Sequence, residues 1–251
     1  MIRCLIPLTL SALVALAAPA ARAQTPSPVP VPAAHLYPLG RALPSPDVKV
    51  DVSDAPEARA WAEQARVLVI QWFPLVCQFL ATDRFTPPKT ITLAFKKDLP
   101  VPAYTTGTGT DGATISISGK WITAHPDDFG MVIHEMTHVI QGYPGRGDKP
   151  GWLVEGIADY IRFYRYEPDV PRRNVDPRDP QKASYRDAYR TTASFLAYVT
   201  WRYNRGLLSR LDAALRAGTY SDGLWKTITG KDLDALWTEF IGTLPAAAHV
   251  P

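Results

Sequence analysis

His134-Glu135-Met136-Thr137-His138 lies inside a helical apolar pattern, with Val132, Ile133, Met136, Val139 and Ile140 offering surface that a core would cover. Residues four apart on a helix stack one turn over another, so both imidazoles can address a single ion. Zinc takes imidazole nitrogen at about 2.0–2.1 Å, and this spacing suits that reach. Glu135 projects about 100° away around the axis and can face water instead of metal. Burying such groups costs free energy unless metal or partners satisfy them. Two ordinary surface histidines are the plainer alternative, and the motif as a whole argues against it. The helix is predicted to open at His125-Pro126-Asp127-Asp128, where proline and capping carboxylates suit a start. It runs to about Gln141, with Gly142 as its stop.

A catalytic zinc needs a third protein ligand and one open position. The stretch GWLVEGIADY (151–160) offers two carboxylates, Glu155 and Asp159, four residues apart on a second helix predicted over Trp152–Tyr166. Pro168 bars much extension of that helix. Leu153, Val154, Ile157 and Ala158 argue that it packs against the first helix. Glu155 as ligand, with Asp159 accepting a hydrogen bond from a ligating histidine, is the preferred assignment. The reverse assignment satisfies the same spacing.

Outward from these helices the pattern is α+β. Ala55–Leu80 has apolar residues at three- and four-residue steps, with Pro74 expected to kink or end the helix. Thr90–Phe95 and Ala113–Ile117 alternate as strands. Thr105–Gly112 between them reads as a flexible turn-rich loop whose glycines match no phosphate-binding fingerprint. A Pro/Arg/Asp-rich loop is expected over Glu167–Gln181. Helices are predicted near Tyr185–Tyr203, Leu207–Ala217 and Leu233–Ile241. Strands in front and helices behind give a small sheet, then an active-site helix, then a mostly helical carboxy-terminal part.

The amino terminus predicts export. A basic start, an apolar run from Cys4 to Pro19 and Ala21-Arg22-Ala23 describe a signal peptide over residues 1–23, cleaved before Gln24. The run is shorter than the roughly 20 residues of a spanning helix, and no later stretch could act as a stable membrane anchor. Residues 24–47 form a Pro-rich extended leader, with seven prolines between Gln24 and Pro46, and the folded domain covers 48–251. The expected location is periplasmic or extracellular. Loss of Arg3 and Arg22 with the signal takes 27 basic residues to 25, against 24 acidic ones. With no basic stripe, nucleic-acid binding has no support. The mature chain keeps one cysteine, Cys77, which cannot form an internal disulfide and is expected to be buried.

HEMTHVIQG followed by PGWLVEGIADYIR resembles the gluzincin metallopeptidases. It is similar above all to the plant-type basic secretory protein family of zinc peptidases and its bacterial members. The likeness runs from about Val48 to Phe240 and takes in TTASFLAYV and GKDLDALWTEF. It implies a zincin-like core, His134, His138 and Glu155 as zinc ligands, Glu135 as general base, and a substrate-binding edge strand at Ala113–Ile117. Asp159 matches the supporting acid of thermolysin-like enzymes. The mature chain is not basic, the gap of 16 residues between His138 and Glu155 is short for aminopeptidases of this clan, and no G-x-M-x-N motif occurs. An endopeptidase acting on peptide or protein substrates is therefore expected, hydrolysing by zinc-activated water. Tyr189 and Tyr185 are the candidate oxyanion donors, with Tyr189 preferred. The rival is a secreted metal-binding module without catalysis, against which the intact Glu135 weighs.

Overall fold

Four strands form one mixed sheet in the order β1-β2-β4-β3: β1 (Asp47–Asp51), β2 (Thr90–Lys96), β3 (Ala103–Gly109) and β4 (Gly112–Ser118). The first three in that order run parallel, and β3 is antiparallel to β4, with Thr105 opposite Ile115. The computed structural model describes residues 45–80, 85–145, 147–169 and 180–244. The expected signal peptide, nearly all of the leader and most of the Glu167–Gln181 loop lie outside the described residues. The expected domain start at Val48 falls one residue into β1.

Two of these strands change the sequence-based picture. Thr105–Gly112 is not a loop: β3 occupies most of it and turns at Thr110–Asp111 into β4. Its Thr- and Gly-rich composition lacks apolar alternation because most of its residues face solvent. Gly107 adopts a positive φ of 64° where the ladder shifts register between Thr106 and Gly109, as at a bulge. Ala113–Ile117 is correspondingly not an edge strand. β4 is paired on both sides and buries Ile115 and Ile117, so its backbone has no free side for a substrate.

The parallel crossover from β1 to β2 is the long helix α1 (Arg59–Leu80), preceded by a 3-10 turn at Pro56–Ala58. Its buried stripe, Ala62, Ala65, Val69, Phe73, Val76, Cys77 and Leu80, continues past Pro74. The proline therefore does not end the helix. The bond it forfeits is to Ile70, which is 40 % exposed, so water can take that carbonyl while packing holds both halves.

After β4 a short helix α2 (Gly119–Ala124) precedes α3 (Gly130–Gln141), which carries the two histidines. The predicted start at His125–Asp128 lies too early. Asp128 accepts from Trp121 Nε1 at 2.9 Å and from Arg162 Nη2 at 2.6 Å, so its carboxylate ties elements together instead of capping a helix. Trp61 stacks on Phe129 with ring centroids 4.4 Å apart and fixes the entry to α3. The exit is at Gly142 (φ 36°), whose N–H returns to His138.

Helix α4 (Gly151–Ile161) continues as a π-helical turn at Arg162–Tyr166. The remaining helices are α5 (Tyr189–Arg202), α6 (Leu207–Ala217), α7 (Gly223–Thr229) and α8 (Leu233–Gly242). Seven-residue α7 has only Trp225 and Ile228 buried, too little periodicity to announce itself in the sequence. Helix α6 anchors the far end of α3: Arg216 donates to the Ile140 and Gln141 carbonyls at 2.9 and 3.1 Å. Buried Asp212 accepts from Arg216 at 3.2 Å and from Tyr143 at 2.9 Å. A cation thus meets the negative end of the helix that positions the site. No helix among the described residues is long and apolar enough to cross a membrane.

Candidate metal centre

Helix α3 is buried around almost its whole circumference, and its two histidines open into a cleft of about 810 Å³. Both δ-nitrogens are engaged by oxygen acceptors. His134 Nδ1 lies 2.7 Å from Asp159 Oδ1, and His138 Nδ1 lies 2.7 Å from Gln141 Oε1. Donation from Nδ1 leaves each Nε2 with its lone pair, and those two nitrogens sit 3.0 Å apart. Glu155 Oε2 completes the group at 3.2 Å from His134 Nε2 and 3.5 Å from His138 Nε2.

Three electron-rich atoms converging on one point repel one another unless positive charge lies between them. His134 shows that demand: burial alone would lower its pKa, but hydrogen bonds to Asp159 and Glu155 outweigh it and lift the pKa to about 9. Burial would raise the Glu155 carboxyl, but the bonds to His134 and His138 hold it at about 2. A divalent ion satisfies the same demand as a proton and suits two imidazoles and a carboxylate. The candidate ligand atoms of His134, His138 and Glu155 all lie within 4.8 Å of one another, so the group could hold a metal ion.

Glu135 faces the sheet. Thr105 on β3 donates through its hydroxyl to Glu135 Oε2 at 2.8 Å and sits 3.0 Å from the Glu135 carbonyl. Nothing in the sequence singles out that side chain, because its segment reads as a loop. Gln141 was also missed, although its place three residues after His138 on one helix could have revealed it. Its amide donates to the Val154 carbonyl at 3.0 Å, tying α3 to α4 beside Glu155.

Helices α4 and α5 meet where Gly156 has no side chain. A Cβ there would come within 2.2 Å of Thr192 Cγ2, so only glycine permits this approach. The amino end of α5 enters the cleft through two residues of positive φ, Ala188 (61°) and Tyr189 (45°). Neither is glycine, and backbone strain of this kind gathers at functional sites. It leaves the Tyr189 ring 6.3 Å from His134 and 53 % exposed. The negative charge of Glu155, followed by burial, raises the Tyr189 pKa, so its hydroxyl keeps its proton. Tyr185 is elsewhere: its hydroxyl donates to Asp234 at 2.8 Å, and its ring packs against Trp152 and Trp237. Trp152 and Tyr160 are core residues, and Cys77 is buried, as expected.

A family model described as a peptidase of plants and bacteria matches residues 54–240. No curated protein and no solved structure matches the chain.

Proposed function

The chain belongs to the BSP family, the peptidases of plants and bacteria, and from that premise we propose that it is an exported zinc-dependent endopeptidase. The observation that carries this reading is the convergence of His134 Nε2, His138 Nε2 and Glu155 Oε2 inside the cleft, with Glu135 on the next residue of the same helix. In this reading His134, His138 and Glu155 hold the ion, and Asp159 orients His134. When bound, zinc supplies Lewis acidity, polarising a peptide carbonyl and acidifying water. Glu135 takes the proton of the water that attacks the scissile carbonyl carbon and gives it to the departing amine nitrogen. Thr105 holds that carboxylate in place. The Tyr189 hydroxyl donates to the oxygen on which negative charge develops.

Substrate alignment falls to β3 in place of the interior strand β4. Among the described residues β3 is an edge strand with one unpaired side, and Ala103, Tyr104, Thr105 and Thr108 line the cleft. An extended peptide can add to such an edge through main-chain hydrogen bonds, a mode that favours internal cleavage over trimming of chain ends. The basic start, apolar run and A-x-A site support export.

The test is zinc content by elemental analysis alongside peptidase assays of the wild type and Glu135→Ala. The proposal expects about one zinc in each protein and activity in the wild type alone. Zinc in both with equally little cleavage would make the protein a metal-binding module. Absence of zinc from the wild type, even after dialysis against the metal, would remove the site.

A further inference from the structure

Two arginines line the cleft, Arg162 and Arg190, and they are held very differently. Arg162, at the start of the π-helical turn, reaches Asp128 at 2.6 Å and Glu167 at 3.3 Å. Its charge is spent on linking that turn to the entry of α3. Among the described residues Arg190 forms no ion pair: Glu167, whose charge it feels, is bonded to Arg162 instead. Its guanidinium lies 4.4 Å from the ring centroid of Phe163, a side chain only 2 % exposed. The Arg190 carbonyl accepts from Ser194 Oγ at 2.8 Å. Stacking on a fixed ring orients the guanidinium plane yet uses none of its five N–H donors. Arg190 also follows Tyr189 directly, at the strained turn that brings the Tyr189 ring to 6.3 Å from His134.

We propose that Arg190 is a specificity-determining residue that receives a carboxylate of the substrate. The carboxylate is either an Asp or Glu side chain close to the scissile bond or the free carboxy terminus of a short peptide. This rests on the peptidase reading and adds to it a preference for acidic substrates. The guanidinium fork matches a carboxylate through two parallel hydrogen bonds, a geometry that an amide cannot reproduce and an ammonium repels. A pre-stacked arginine also loses little side-chain freedom on engaging its partner, which strengthens discrimination. Arg162 does not compete for this role, because both of its carboxylate partners are already in place.

The experiment uses the zinc-loaded protein and quenched fluorescent peptides of one neutral sequence, with Glu, Gln or Lys placed in turn at each of three positions on either side of the cleaved bond. A parallel pair carries a free or an amidated carboxy terminus. Wild type should favour Glu over Gln by about tenfold at one position, or the free over the amidated terminus by a similar factor. Arg190→Gln should bring that ratio close to one, and Arg190→Glu should turn the preference toward Lys. Each ratio is internal to one protein, so partial misfolding of a variant cannot imitate it. Equal rates for Glu and Gln everywhere, and for both termini, would overturn the inference while leaving the peptidase reading intact. Should the wild type cleave nothing, binding of the same labelled peptides to zinc-loaded Glu135→Ala separates the two claims. Binding that favours the acidic peptides and is lost when Arg190→Gln is added would uphold the carboxylate site and refute the peptidase. Binding indifferent to charge would refute both.

Discussion

Replacing Asp159 separates a supporting carboxylate from a metal ligand. Asp159 is buried and lies 2.7 Å from His134 Nδ1, whereas Glu155 faces Nε2 of both histidines. A buried hydrogen bond to a charged group contributes about 1.5–3 kcal/mol net. With each 1.4 kcal/mol worth tenfold in a binding constant, Asp159→Ala should weaken zinc binding by roughly 10- to 150-fold. Asp159→Asn keeps an acceptor of similar shape without the charge, and should lose about tenfold. In the proposed site Glu155→Ala removes one of three ligating groups and its negative charge, so its loss should exceed that of Asp159→Ala by at least about tenfold. Competition against a chromophoric chelator at fixed pH measures all three on one scale, and circular dichroism checks that each variant is folded. If Asp159→Ala weakened zinc binding as much as Glu155→Ala or more, Asp159 would be the ligand and Glu155 its support. That outcome would refute the assignment drawn from these distances.

Three further outcomes follow from named contacts. Thr105→Val removes the hydroxyl that reaches Glu135 and should lower kcat by about tenfold with zinc content unchanged, while Thr105→Ser should restore most of it; equal rates in all three would deny Thr105 a positioning role. Gly156→Ala drives a methyl to 2.2 Å from Thr192, so urea denaturation should show a loss of about 1–3 kcal/mol, and an unchanged midpoint would mean that α4 and α5 are not in this contact. Arg216→Ala leaves buried Asp212 without its cation and frees the carbonyls that end α3, a loss of about 3–5 kcal/mol. Adding Asp212→Asn should return part of that stability, and no recovery in the double variant would show that the Arg216–Asp212 pair is not the source of the loss.

The legible part of this protein is the part written in local periodicity. A helix repeats every 3.6 residues whatever surrounds it, so the four-residue steps His134–His138 and Glu155–Asp159 place side chains on shared faces before any tertiary contact is known. The same regularity predicted α1, Gly142 marked the end of α3 as a helix stop, and the expected bounds of α6 match those observed. Motif and context together also led to the family.

Contacts between distant segments decided the rest, because they depend on how elements pack and not on what precedes them in the chain. β3 exists as a strand through its pairing with β4, and no alternation in its own residues revealed it. Its formation moved the open sheet edge from β4 to β3 and brought Thr105 to Glu135, 30 residues away in sequence. Asp128 could have capped a helix, yet Arg162 and Trp121 claimed it, and α3 began later. Both Tyr185 and Tyr189 are candidates in the sequence, and packing separated them: Asp234 took the Tyr185 hydroxyl, and a strained turn brought the Tyr189 ring toward His134. A hydrogen-bond partner or an ion-pair partner is chosen by proximity in space, and proximity is a property of the packed core.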